Sequence, residues 1–173
     1  MYFCSRIVNI IEMKHVNPKH IDALLELINR GPFFELLSMK VCELGIGYAK
    51  VEVDLQQKHY NPFGAIHGGV YSSIIDTAAY WSAYCELDEN TGYTSIDLSV
   101  NNLSMMREGK IFVEGKSIKI GRSTCLAEAY VKDKDGKLLA HGISKLMILN
   151  GKQSIKHALE TMGYQSLPPK FID

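Results

Sequence analysis

Asp76 stands in the middle of an apolar run, Gly69 to Cys85, with Ile74, Ile75, Ala78 and Ala79 around it. Aspartate is a poor helix-interior residue, and a carboxylate among apolar neighbours costs free energy unless something compensates for it. Just ahead of the run comes His67-Gly68-Gly69. If the run is a helix, these residues sit at its N-terminus, where backbone N–H groups lack intrahelical partners and the dipole is positive. Glycine lets a ligand approach that backbone closely. Such donors stabilise charge developing on an acyl oxygen, and a carboxylate on the same helix face activates water. Asp76 would lie ~10 Å along the axis from Gly69. Each residue also has a plainer reading. His-Gly-Gly makes a tight loop entry, Asp76 caps a strand or pairs with a cation, and Asn61, between Tyr60 and Pro62, forms a turn. His59 is open in the same way.

Other catalytic chemistries lack their residues. There is no G-x-S-x-G elbow and no H-E-x-x-H. The four cysteines, at 4, 42, 85 and 125, form no C-x-x-C, which argues against zinc and against a disulfide framework and favours buried free thiols.

The elements that must carry these residues follow from periodicity. Asn17-Pro18 opens an amphipathic helix to Arg30, with Ile21, Leu24, Leu25 and Ile28 on one face and Gly31-Pro32 as the stop. Phe33, Phe34, Leu36 and Leu37 form a short apolar element. Residues 48–55 alternate as a half-buried strand, and Gly45 and Gly47 ahead of it mark a hairpin. Residues 56–68 are a loop, and 69–85 the long apolar helix. Strands are expected near 93–101, 110–120, 123–133 and 137–149, joined by short turns, with Asp135-Gly136 as the strongest turn signal. A short helix is expected over 153–162, followed by a Pro-Pro segment. The organisation is an N-terminal extension with one helix (1–38), a central domain (39–150) and a C-terminal tail (151–173). The fold class is α+β, an antiparallel sheet wrapped around one central helix. Such a sheet leaves an edge open, which favours a homo-oligomer.

The chain has 173 residues, with 19 Lys plus Arg against 19 Asp plus Glu, and no net charge. A domain that lives on the nucleic-acid backbone carries a basic excess, so nucleic acid is not an expected partner. No run approaches the 18 apolar residues of a membrane span, and the N-terminus lacks a signal-peptide core, which points to the cytoplasm.

The pattern His59-x-Asn61-x-x-Gly64-x-x-His67-Gly68-Gly69, followed by Asp76, resembles the hot-dog-fold acyl-CoA thioesterases, specifically the phenylacetate-pathway (PaaI-like) branch. Thr94 to Leu98 is similar to the family's next strand, and the resemblance covers roughly residues 39–150. It implies a dimer or tetramer whose sheets join edge to edge, with the site at the interface. It implies hydrolysis of an acyl-CoA to acid and CoA, with no cofactor and no metal beyond the CoA of the substrate. Asp76 matches the catalytic carboxylate, as base or nucleophile, and Gly68 the backbone donor to the thioester oxygen. Asn61 matches a side chain that holds the carbonyl or water from across the interface. His67 matches the histidine that supports the loop, and Ser95 a hydroxyl that positions water. Gly69 is a further substrate contact, and Arg122, after Gly121 at a strand turn, is a CoA contact. Tyr60 stands where the family often has a second Asn. Tyr80, Trp81 and Tyr84 read as core or interface residues, or as walls of an acyl pocket. Two alternatives remain: a non-catalytic acyl-CoA-binding or sensing module, and a hot-dog hydratase or dehydratase.

Overall fold

The structure is a computed structural model that describes residues 15–149 and 151–173. Cys4 and the first part of the N-terminal extension lie outside the described residues.

Strand β1 (His15–Val16) leads into helix α1 (Pro18–Asn29). The Asn17 side chain accepts from Lys19 N–H at 3.1 Å and Pro18 occupies the first turn, as their residue types dictate. The short apolar element that follows is a second helix, α2 (Pro32–Leu36), so the extension carries two helices rather than one. Gly31 ends α1 and also stands at the N-cap of α2. Strands β2 (Met39–Gly45) and β3 (Tyr48–Asp54) form the expected hairpin, with Gly47 in the left-handed region at φ 75°. A 3-10 turn (Gln57–His59) sits inside the loop before helix α3 (Gly68–Ser82), and another (Tyr84–Glu86) closes that helix. Then come β4 (Gly92–Asn102), β5 (Lys110–Ile120), β6 (Thr124–Lys132), β7 (Leu138–Leu149), α4 (Ile155–Met162) and β8 (Phe171–Ile172).

The six long strands form one antiparallel sheet in the order β2-β3-β5-β6-β7-β4, and α3 packs against all six. This is the hot-dog arrangement, a curved sheet around one buried helix. Close approach is built into the sequence: a Cβ on Gly115 would stand 2.1 Å from the carbonyl oxygen of Ala78. Not all strands after the helix are joined as hairpins. Residues 103–109 form a crossing connection, so β4 pairs with β7 and lies at the edge, while β5 pairs with β3. Nearest-in-sequence pairing is a tendency, and the longer link escapes it.

The two sheet edges are unlike. At β2, Asn29 imitates a neighbouring strand: its Nδ2 donates to Val41 O at 2.9 Å and its Oδ1 accepts from Val41 N–H at 2.8 Å. That capping blocks edge pairing. The outer edge of β4 has no strand beside it among the described residues.

The C-terminal tail is clamped to the domain. β8 pairs with β1, and Asn17 bonds both Lys170 O and Pro169 O. Lys170 is fully buried, donates to Tyr84 O and Leu87 O, and lies 3.8 Å from the Tyr84 ring centre. A cation on the carbonyls of the turn that closes α3 suits the negative end of the helix dipole. His20 bridges Pro168 O at 2.6 Å and the Tyr84 hydroxyl at 2.7 Å.

Candidate active site

Helix α3 presents Asp76 toward the inner faces of two strands. Ser95 Oγ on β4 donates to Asp76 Oδ1 at 2.7 Å, and Ser144 Oγ on β7 donates to the same oxygen at 3.1 Å. Two hydroxyls compensate the carboxylate on one side. Oδ2 has no hydrogen-bond partner among the described residues. A bulge makes the Ser95 contact: the register of β4 on β7 shifts between Ser95 and Asp97. Tyr93 and Ser95 face the helix before it, and Leu98 and Val100 are partly buried against the core after it. Ser144 was not foreseen. Its signal was present, because a serine alternating with Gly142 and Leu146 on a buried strand face needs a polar partner.

Asp76 borders two cavities, each of about 590 Å³. One is walled by Phe33, Phe34, Tyr80, Trp81 and Leu98. The other is walled by Thr94, Ser95 and Tyr80, together with Gln153, His157 and Thr161 from the tail. Tyr80 stands between them. Burial, and then the nearby Asp76, push its phenol up to about 12, so it stays a neutral donor to Tyr93 O at 3.2 Å. Tyr84 does not line either cavity; it is buried under the tail.

The loop before α3 is held by its own polar side chains. His67 caps the helix, its Nδ1 accepting from Gly69 N–H at 2.9 Å. The Gly69 N–H is therefore occupied, and the donor left without a partner among the described residues is that of Gly68. His59 is buried: Nδ1 accepts from Gln56 N–H at 2.9 Å, and Nε2 donates to Leu37 O at 2.9 Å. Burial lowers its affinity for a proton. The Asn61 side chain turns back into the loop, accepting from Phe63 N–H at 2.9 Å and from Ala65 N–H at 3.3 Å. This is an Asx-type turn. Gly68 lines a separate cavity of about 420 Å³ with Ile66, Tyr71, Asn102 and Ser104, which shares no lining residue with the two at Asp76.

Within one chain the structure brings Ser95 to Asp76, and it brings Asn61, His67, Gly68 and Gly69 together in the loop. It does not bring the two groups together. Gly68 and Asp76 are eight helical steps apart, ~12 Å of rise. Arg122 is exposed in the β5–β6 turn, which the Thr124–Met147–Thr94 pairings place at the Thr94 end of the sheet, away from Asn102. Cys85 is buried and its thiol is pushed up to about 11 by that burial, so it is no nucleophile.

A sheet of this order wrapped around one helix defines a hot-dog domain. Residues 63–140 match the family model described as Thioesterase superfamily. The chain is 32% identical over 137 residues to "Putative esterase SSO2140" of Saccharolobus solfataricus, covering 79% of this chain and 97% of that protein. It is 27% identical over 105 residues to 1,4-dihydroxy-2-naphthoyl-CoA hydrolase of Listeria monocytogenes, covering 61% and 85%. The solved thioesterase HI1161 of Haemophilus influenzae shares the fold with a TM-score of 0.71 at 20% identity, covering 76% and 92%. The chain belongs to the thioesterase superfamily. Among its described residues no helix is long and apolar enough to cross a membrane.

Proposed function

We propose that the protein hydrolyses acyl-CoA thioesters to the free acid and CoA, and that it belongs to the PaaI-like branch. The observation that carries this reading is Asp76, held through Oδ1 by two serine hydroxyls, with Oδ2 unpartnered among the described residues and the residue lining both cavities.

Two copies complete the site. The open β4 edge pairs with its own copy about a two-fold axis, running the α3 helices antiparallel. The start of one helix then lies beside the middle of the other, which closes the ~12 Å gap between Gly68 and Asp76. The Gly68 N–H of one copy polarises the thioester carbonyl. The Asp76 Oδ2 of the other takes a proton from water as the water oxygen attacks the carbonyl carbon. The tetrahedral oxyanion rests on the Gly68 N–H. It collapses with cleavage of the C–S bond, and the proton held by Asp76 passes to the departing thiolate. Asn61 and His67 shape the loop that presents Gly68. The backbone donor contributes ~10²-fold or more, and the carboxylate ~10²–10⁴-fold.

Thiol release from a panel of short, long and aromatic acyl-CoA thioesters tests the reading. Saturable turnover supports it. Thermal stabilisation by acyl-CoA with no free thiol across the panel contradicts it and identifies a binding module.

A further inference from the structure

A thioester substrate of CoA has two unlike arms, and Asp76 stands between two cavities of equal volume walled largely by different residues. On one side four aromatic rings, Phe33, Phe34, Tyr80 and Trp81, close around Leu98, with Ser72, Ser73 and Thr77 of α3 completing the wall. On the other side the wall is mixed: the tail supplies Gln153, His157 and Thr161 as hydrogen-bonding groups beside Ala158 and Met162, with Thr94 and Ser95 lining the same cavity. We propose that the α2 side takes the acyl group, and that the C-terminal tail, which lies beyond the family-matched residues 63–140, is the binding surface for the pantetheine and phosphate arm of CoA. This rests on the thioesterase reading of Asp76.

The tail is built to hold that position. Lys152 O passes directly over Gly92 at the start of β4, where a Cβ would stand 1.6 Å from it. No other residue fits at 92 without moving the tail. Gly151 and Gln153 both adopt left-handed backbone, at φ 69° and 50°. This is an unusual conformation for glutamine, and it turns the chain back toward Asp76. Ser154, 8% exposed, shares a 3.2 Å hydrogen bond with His157 Nδ1, which fixes the imidazole. The ring's Nε2 has no partner among the described residues. Beyond α4, the buried Lys170 and the β1–β8 pair anchor the far end.

The chemistry of the two walls sorts the arms. Pantetheine offers two amides and a hydroxyl, which need donors and acceptors such as Gln153, His157 and Thr161. The nucleotide end offers phosphates. Lys152 and Lys156 are exposed on this tail, and neither has an acidic partner among the described residues. The registers place the Arg122 turn at the Thr94 end of the sheet, the end that this cavity borders. The aromatic cavity offers an acyl chain or ring apolar area, and the hydroxyls of Ser72, Ser73 and Thr77 in its wall already donate to the α3 carbonyls of Gly68, Gly69 and Ser73.

The test compares acyl-CoA with the N-acetylcysteamine thioester of the same acid, which keeps the first amide and lacks the phosphates. In a Lys152→Ala/Lys156→Ala variant, KM for acyl-CoA rises about ten-fold at low salt with kcat held, as for the loss of two exposed charge contacts. The kcat/KM for the truncated thioester stays at the wild-type value. In Phe34→Ala, both thioesters lose kcat/KM by the same factor, and the preference among acyl groups changes. An unchanged KM for acyl-CoA in the lysine variant overturns the assignment. So does an equal loss on both thioesters in that variant, or an acyl preference that follows His157→Ala rather than Phe34→Ala. Wild type that releases no thiol from either thioester overturns the thioesterase reading itself.

Discussion

Ser144 Oγ donates to Asp76 Oδ1 at 3.1 Å, from a serine with no solvent exposure. Ser95 reaches the same oxygen at 2.7 Å from the other neighbouring strand. One carboxylate oxygen is thereby committed to the scaffold, and the other has no hydrogen-bond partner among the described residues. Ser144→Ala removes a hydroxyl and little volume. Steady-state kinetics should show kcat falling about ten-fold with KM nearly unchanged, as for a lost hydrogen bond to a charged group. An unchanged kcat would mean that Ser95 alone orients Asp76.

Gly68 offers a sharper probe than most backbone donors. It is the first residue of α3, where proline is tolerated, and His67 before it is already extended at ψ 135°. Gly68→Pro deletes the N–H itself. The nearest atom to a Cβ there is Asn102 Nδ2, at 2.9 Å, the end of an exposed side chain that can swing away. The variant should keep its melting temperature within a few degrees and lose ~10²-fold in kcat. A folded variant with full activity would remove Gly68 from the oxyanion site.

The shared site makes a prediction about mixtures. Asp76→Asn and Gly68→Pro should each keep no more than about one hundredth of the wild-type activity, and a heterodimer of the two would contain one intact site and one doubly impaired site. After complete subunit exchange, about one quarter of wild-type activity should return, because half of the dimers are mixed and each carries one working site of two. No recovery after exchange is verified by mass spectrometry would place Gly68 and Asp76 in the same copy's site.

Stability should fall in mild acid. His20 and His59 are buried with their ring nitrogens bonded, and burial lowers the pKa of both. The unfolded histidines take protons near pH ~6.5. Below that the unfolded chain holds more protons than the folded one, so stability is full above pH ~6.5 and is lost as the pH falls. Urea midpoints at pH 7.5 and 5.5 check this: a lower midpoint at 5.5 is expected, and an equal or higher one contradicts it.

Much of the architecture was legible because it is local. The alternation over residues 48–55, the Asp135-Gly136 turn and the run from Gly69 each declare their element through spacing and residue type. Asp76 was legible because a carboxylate in that run violates its surroundings. What was hidden depends on contacts distant in sequence. The pairing of β4 with β7 joins residues about fifty apart, and the bulge beside Ser95 exists only within that pairing. Ser144 becomes a partner of Asp76 only once β7 lies under α3. Nor did Pro168-Pro169-Lys170 announce that its lysine would be buried against Tyr84. Asn61 shows the reverse case, since the turn-forming habit of its residue type describes its side chain in this chain.

The most direct measurement of the central claim is thiol release by wild type and by Asp76→Asn, side by side on the same acyl-CoA panel. Asparagine preserves the shape and can still accept from Ser95 and Ser144, but it cannot take a proton from water. The expected result is saturable turnover in wild type and a fall of at least ~10²-fold in kcat for the variant, with its fold intact. Equal turnover in the two proteins would contradict the assignment of Asp76 as the group that activates water.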